Sequence, residues 1–361
     1  MAKIDPLLEL AIQKNASDVH VGSFSDCYLR INGKLLPLSA EEIPEEFRVE
    51  DKTEVLLEIL SEEQRMQFEK DLSLDFSYIL RLDKPWRARV NYYRQNRGGC
   101  DAVFRIVPPD IPTLKDLGFP PSVIQMLQTK QGIIFVTGPR GSGKTTTLAA
   151  MVDELNRNTT DHIITVEDPI EYVHKNKSCI VTQRELGSHT DTFSNTLRAA
   201  LREDPDVIVI GEMRDLDTIS MALTCAETGH LVLGTLNTND AASTIDRVIN
   251  VFPPNSQEQV RVMISDSLRG IISQQLVPMK EQDARCIALE ILVGSPALSS
   301  MIREKKTFNL MSYMQTGKVK FGMEIMDDSL LDLFRKNLIS WETALLYSHD
   351  SLALEVAKGE T

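Results

Sequence analysis

Cysteine is scarce in this chain of 361 residues: five, at positions 27, 100, 179, 225 and 286, an odd number with no C-x-x-C pair. That spacing excludes a disulfide framework and a structural zinc motif, and suits small core residues. Long apolar runs are missing too. No stretch approaches the roughly 20 apolar residues that a membrane-spanning helix needs. Asp5, Pro6 and Glu9 interrupt the place where a secretory signal would be continuously apolar, so nothing directs export and a cytoplasmic location is expected. Positive charge is short, with 39 Lys and Arg against 52 Asp and Glu and a formal net charge of −13. Nucleic-acid binding is driven largely by release of counterions to cationic side chains, so a helicase or recombinase is disfavoured and no nucleic-acid partner is expected. A guanine-reading [N/T]-K-x-D motif is lacking as well: Asn176-Lys-Ser-Cys179 has no acid, which weighs against a GTPase.

What is present is 42 % hydrophobic residues, ample for a buried core and more naturally two domains than one. The run Ile133-Ile134-Phe135-Val136 leads directly into Gly138-Pro-Arg-Gly141-Ser142-Gly143-Lys144-Thr145-Thr146, which completes the pattern G-x-x-x-x-G-K-[S/T]. Glycines 138, 141 and 143 let the backbone wrap a phosphate without Cβ clashes, so that successive N–H groups and a helix start face the anion. Lys144 would reach the β- and γ-phosphates and Thr145 would ligate Mg²⁺, making this a nucleoside-triphosphate site.

Residues 1–107 read as a small α+β domain. Pro6 to Lys14 has helical spacing, Val19-His20-Val21 and Tyr28 to Ile31 are strand-like, and Asn32-Gly33 is a hairpin turn. Val55 to Lys70 again has helical spacing, and strands follow from Asp75 to Val107. Within them lies a basic band, Arg81, Lys84, Arg87, Arg89, Arg94, Arg97 and Arg105, against only Asp83 and Asp101. Solvated arginines on exposed strand faces account for such a band as readily as a surface that meets nucleotide phosphates. The segment 108–121 carries five prolines and is expected to be an interdomain linker. Residues 122–295 alternate apolar strands (133–137, 162–166, 207–210, 231–236) with amphipathic helices, the signature of a parallel sheet covered on both faces. Residues 296–361 read as a helical C-terminal region.

Ligands of parallel α/β folds collect at the carboxyl ends of the strands. There the sequence places Glu167-Asp168-Pro169-Ile170-Glu171, then Gly211-Glu212-Met213-Arg214-Asp215, and Asn237-Thr238-Asn239. Singly, such acids are often helix caps; together, beside a phosphate loop, they suggest catalysis. By analogy with RecA-like P-loop ATPases, Glu167 is assigned to water activation and Glu212 to the magnesium shell, with the two roles exchangeable. Asn237 can hydrogen-bond the γ-phosphate and report its loss. His230, in Thr228-Gly229-His230, is a second nucleotide-binding candidate, with a structural hydrogen bond at the strand start equally open.

With those residues in place, the chain resembles the bacterial secretion-ATPase superfamily (GspE/VirB-type), and most closely its type IV pilus retraction branch of PilT/PilU-type motors. The resemblance rests on Ser17-Asp18-Val19-His20, the phosphate loop, Thr165 to Glu171, Gln183-Arg184-Glu185-Leu186-Gly187, Arg202 to Asp215, and Thr228 to Thr238. It implies a PAS-like N-terminal domain, a RecA-like ATPase domain, and a hexameric ring with nucleotide at the subunit interfaces. N-terminal arginines complete the site there, matching best Arg89, Arg97 and Arg105. It also implies pilus retraction and twitching motility, placement at the inner-membrane pilus base beside a membrane protein, and partnership with a paralogous retraction ATPase. No four-cysteine zinc motif or longer N-terminal module of the extension and type II secretion branches is present. Three departures stand out: Arg140 in the phosphate loop, Ser299-Ser300 within the partly matched helical motif Ala297 to Glu304, and Asn237 where the family carries a second histidine. An asparagine donates a hydrogen bond but cannot become cationic, so a nucleotide-binding accessory paralogue with little turnover of its own is the alternative reading.

Overall fold

A computed structural model describes residues 2–31, 33–96, 99–187, 189–282 and 284–359. The chain divides into two compact units, residues 1–110 with Pro169–Val173, and Ile111–Asp168 with His174–Thr361.

In the first unit, alternation of more and less buried side chains along β-strands such as Cys27–Ile31 and Cys100–Val107 builds a sheet with one apolar face. Its strands are β1 (Asp18–Val21), β2 (Cys27–Ile31), β3 (Lys34–Pro37), β4 (Ser73–Arg81), β5 (Pro85–Arg94) and β6 (Cys100–Val107). They pair antiparallel in the order β3-β2-β1-β6-β5-β4. The inward set Val19, Leu29, Phe76, Val90, Tyr92 and Phe104 packs against Leu7 and Leu8 of the helix Asp5–Gln13 and Phe68 of the helix Glu62–Asp71. The helical spacing over 55–70 resolves into two pieces, Thr53–Leu57 and Glu62–Asp71. The break falls at Ser61, whose hydroxyl accepts from Gln64 N while the Gln64 side chain accepts from Ser61 N, a capping box that restarts the helix. Of the expected Asn32-Gly33 turn, Asn32 lies outside the described residues; Gly33 has φ +81°.

The second unit is built on strands buried on both faces. All six residues of β7 (Gly132–Thr137) and of β11 (Leu231–Leu236) are buried, as are all four of β10 (Val207–Ile210). With β8 (His162–Glu167), β9 (Ile180–Glu185), β12 (Leu268–Pro278) and β13 (Arg285–Val293), they form a sheet ordered β13-β12-β7-β11-β10-β8-β9. It is parallel except for the β12–β13 pair. The expected strands fall within one residue of their places. β9 was not expected, because Ile180-Val-Thr-Gln-Arg-Glu185 is half-buried and polar, with no apolar run to signal it. No helix among the described residues is long and apolar enough to cross a membrane.

The division between units falls at Asp110/Ile111, and most of the segment read as a linker is built into the second unit. Leu114 and Phe119, spaced between its prolines, are buried with Val123, Met126 and Ile134. The helical region after residue 296 likewise belongs to the second unit: Leu298 and Ile302 join the core of the main sheet. The five cysteines are free, and four of them are buried.

Tyr92 anchors the first unit's core. It is fully buried, with ring centroids 5.3 Å from Phe76 and 6.1 Å from both Phe68 and Phe104, and its hydroxyl donates to the Leu56 carbonyl at 2.6 Å. Tyr92→Phe strands that buried carbonyl and should cost about 1–3 kcal/mol, read as a lowered midpoint in chemical unfolding of the full chain. An unchanged midpoint would show that the carbonyl does not depend on this hydroxyl.

Candidate active site

β7 hands the chain to a loop that only glycine can form at its first position. Gly138 sits at φ +143°, where a Cβ would lie 2.2 Å from the Gln274 carbonyl, and Gly141 and Gly143 hold φ +78° and +89°. The helix Lys144–Asn158 starts immediately after Gly143. Its first turn of N–H groups, with the loop amides, forms a concave anion cradle. The Ser142 hydroxyl is buried there with no hydrogen-bond partner among the described residues. The loop geometry, the unmatched hydroxyl and the adjacent cation together fit a phosphate group.

The loop is clasped by a residue that sequence reasoning missed. Gln274 on β12 is buried; its Nε2 donates to the Ser142 carbonyl at 2.6 Å and its Oε1 accepts from Thr147 Oγ1 at 2.8 Å. One side chain thus ties the loop to the first turn of the following helix. Beside it, Thr137 Oγ1 donates to Ser273 Oγ at 2.8 Å, pinning the end of β7 to β12. The available signal was the polar stretch Ser273-Gln274-Gln275 set between the apolar pairs Ile271-Ile272 and Leu276-Val277.

Lys144 Nζ donates to the carbonyls of Gly138 at 2.7 Å and Pro139 at 2.9 Å. Burial lowers its pKa below the usual lysine value; the Glu212 charge opposes that and Arg140 adds to it. Glu212 is two residues past the end of β10. Its Oε1 accepts from Asn237 Nδ2 and its Oε2 from Arg214 Nη2, both at 2.6 Å. Burial pushes its pKa up, but the Arg214 guanidinium, the Asn237 amide and the Lys144 charge outweigh this and hold it below the usual carboxylate range. Glu212 therefore stays ionised at neutral pH, and its pairing with Arg214 is lost only as pH falls through that lowered pKa.

Glu167 ends β8, the strand next to β10. Its Oε1 accepts from Thr165 Oγ1 at 2.7 Å and from Gln183 Nε2 of β9 at 3.1 Å. Gly211 N donates to the Val166 carbonyl at 2.8 Å, and a Cβ on Gly211 would come within 3.3 Å of Glu167 Cα, so the chains carrying Glu167 and Glu212 run side by side. Read across the carboxyl edge of the sheet, the order is Gln274, the phosphate loop with Lys144 and Thr145, Asn237, Glu212 and Glu167. Asp215, at the end of the same acidic stretch, is a helix cap, its carboxylate accepting from Thr218 N at 2.8 Å.

The remaining candidates lie elsewhere. His230 precedes β11 and so stands at the opposite edge of the sheet, about 23 Å from Asn237 at ~3.3 Å per residue. Its Nδ1 lies 3.0 Å from the Cys225 carbonyl and 3.3 Å from Thr228 Oγ1, the structural hydrogen bond that its position at a strand start allows. Within one subunit it does not join the phosphate loop, because a parallel strand carries its two ends to opposite edges. Asn237, expected to face phosphate, has its amide on Glu212. Arg89 and Arg105 belong to the first unit, on β5 and β6, directly opposite each other in register. Arg97 lies outside the described residues. Among the described residues no group of three or more His, Cys, Asp or Glu side chains could enclose a metal ion. Magnesium at such a site is held by one or two protein ligands together with the nucleotide's phosphates.

A glycine-bearing loop ahead of a helix, with a lysine and two carboxylates on neighbouring parallel strand ends, defines a P-loop nucleotide-binding protein. More particularly, residues 1–321 match the family described as type II/IV secretion system protein, and the chain belongs to that family. It is 45 % identical over 346 residues to the type IV pilus retraction ATPase PilT of Pseudomonas aeruginosa, covering 94 % of this chain and 96 % of the relative. It is 42 % identical over 333 residues to the twitching motility protein of Neisseria gonorrhoeae, covering 92 % and 87 %. A crystal structure of the pilus retraction motor PilT with bound ADP superposes with a TM-score of 0.89 at 43 % identity, covering 99 % of this chain and all of that one.

Gln274→Ala removes both clasps of the phosphate loop and should weaken ADP binding about tenfold, the effect of roughly 1.4 kcal/mol. Gln275→Ala serves as the control. Equal ADP affinity in titrations of Gln274→Ala and wild type would remove Gln274 from the site.

Proposed function

We propose that this chain is the ATP-hydrolysing subunit of a hexameric motor that powers type IV pilus retraction and twitching motility. The observation that carries the reading is the contiguous row Lys144, Asn237, Glu212 and Glu167 along one edge of a parallel sheet. Its kinship to PilT supports the same conclusion. We assign Lys144 and the loop amides to the β- and γ-phosphates, and Thr145 with Glu212 to the magnesium side. Mg²⁺, when bound, neutralises charge on the phosphate oxygens. Glu167 orients a water and accepts its proton as the water oxygen attacks the γ-phosphorus. The bond to the β–γ bridging oxygen breaks, and ADP departs with that electron pair. The Gln183 amide and Thr165 hydroxyl on Glu167 are suited to holding that carboxylate in one orientation.

In the same reading the first unit is a PAS-like domain, and Arg89, Arg97 and Arg105 complete the nucleotide site of a neighbouring subunit, neutralising charge on the transferred phosphoryl group. The ring works on the cytoplasmic side of the inner membrane, docked on a pilus-base membrane protein and accompanied by a paralogous retraction ATPase. The route from hydrolysis to work is suggested by the chain path: Pro169–Val173, counted with the first unit, begins two residues after Glu167. Rearrangement around Glu167 as phosphate leaves would pull on that short tether and shift the N-terminal domain. The accessory-paralogue reading rests on Asn237 alone. Its neutral amide serves Glu212, a task that needs a donor and no charge, so the substitution is compatible with turnover.

Glu167→Gln and Glu212→Gln should each retain nucleotide while slowing phosphate release by about 100-fold or more, the scale for loss of a positioned base or electrostatic partner. Binding is followed with a fluorescent ADP and hydrolysis by released phosphate. Two variants that hydrolyse ATP normally would make both carboxylates structural.

A further inference from the structure

One polar row crosses the first unit's sheet from strand to strand. In register it reads Arg30 on β2, Asp18 on β1, Arg105 on β6, Arg89 on β5 and Ser77 on β4. Residues paired across neighbouring strands share a face, so these side chains stand side by side on the face opposite the apolar core. Asp18 is the buried member, with a side chain only 6 % exposed, whereas Arg105 is 61 % exposed. A buried carboxylate requires partners, and Asp18 has three. Arg105 Nε donates to Oδ1 at 2.9 Å, Ser17 Oγ donates to Oδ2 at 2.8 Å, and Arg30 Nε lies farther off, 3.8 Å from Oδ2.

The choice of atom on Arg105 matters. A guanidinium has a side edge containing Nε and a terminal edge formed by its two amino nitrogens, five donors in a rigid plane. Asp18 takes the Nε side, and neither terminal nitrogen of Arg105 has a hydrogen-bond partner among the described residues. A long side chain that would otherwise sample many rotamers is thereby held at its base, with its terminal fork projecting from the sheet. That is the geometry an arginine needs to meet a phosphoryl group without reordering during the reaction.

We propose that Asp18 is a positioning residue for ATP hydrolysis, holding Arg105 by its Nε edge so that the terminal edge is presented to the phosphate bound by a neighbouring subunit. This rests on the reading above that Arg105 acts across the subunit boundary. Asp18 touches neither nucleotide nor water; it acts through Arg105. An arginine finger supplied in trans can contribute ~10³-fold or more to turnover, and losing its orientation forfeits part of that.

The test is a set of mixed rings with separate kinetics for each variant. Asp18→Asn keeps the shape but not the charge, and should lower kcat about tenfold with the KM for ATP changed less than twofold, because the arginine acts on the transition state. Asp18→Asn combined with Arg105→Ala should be no slower than Arg105→Ala alone, since both changes disable one device. Arg30→Ala, which removes the more distant partner, should stay within twofold of wild type. In mixed rings, Asp18→Asn subunits should regain activity when combined with Lys144→Ala subunits, because some interfaces then pair an intact phosphate loop with an intact Asp18–Arg105 unit. Combined with Arg105→Ala subunits they should regain none. Normal kcat in Asp18→Asn beside a crippled Arg105→Ala overturns the proposal, as does recovery in the Asp18→Asn and Arg105→Ala mixture. An Asp18→Asn subunit that recovers with neither partner, or an Arg30→Ala variant equally slow, also counts against it by making Asp18 a fold residue. If Arg105→Ala itself turns over normally, or fails to complement Lys144→Ala, the trans-arginine reading falls instead, an outcome distinct from failure of the Asp18 assignment.

Discussion

A lysine ammonium and a glutamate carboxylate share the partly buried carboxyl edge of the main sheet, and each supports the other's charge. Burial works against both ionised forms, lowering Lys144 and pushing Glu212 upward. Glu212 is kept ionised by Arg214, Asn237 and Lys144, and Lys144 is in turn supported by Glu212. Burial thus requires neighbours that favour each charge. That requirement explains why Asn237 donates to Glu212 and why the strands carrying these residues must end together.

Strand order meets the requirement. β7 is buried along its whole length between β12 and β11, so it cannot slide relative to its neighbours without moving apolar side chains out of the core. The register that seals the core also places Thr137 beside Ser273 and Leu236, bringing Gln274 and Asn237 to either side of the phosphate loop. Gln274 then converts a glycine-rich and intrinsically mobile loop into one held at Ser142 and Thr147. The first unit applies the same principle to an arginine: a buried acid, Asp18, fixes an exposed base, Arg105, through in-register pairing of β1 and β6.

Much of this was legible in the residues. Gly138, Gly141 and Gly143 announce a loop whose φ values other residues avoid, and Ile133 to Val136 announce the buried strand that feeds it. Glu167 and Glu212 were found by asking which residues follow apolar strands. What stayed hidden depended on pairing between distant segments. Gln274 is 132 residues from the carbonyl it holds. The half-buried, polar β9 gives no periodic signal, although it supplies Gln183 to Glu167. The separation of His230 from Asn237 was hidden as well, because seven residues is near in sequence whereas a strand turns it into the full depth of the sheet. The prolines of 108–121 read as a linker, but Leu114 and Phe119 between them had an apolar site to fill. The assignment of Pro169–Val173 to the first unit has no local signature at all.

In the proposed function this edge of the sheet hydrolyses ATP with an asparagine at 237. The measurement that bears on it most directly is steady-state phosphate release by the purified, assembled protein beside Lys144→Ala. Wild type should release phosphate steadily, and removing the cation assigned to the β- and γ-phosphates should abolish that release. Wild-type release no greater than that of Lys144→Ala would contradict it.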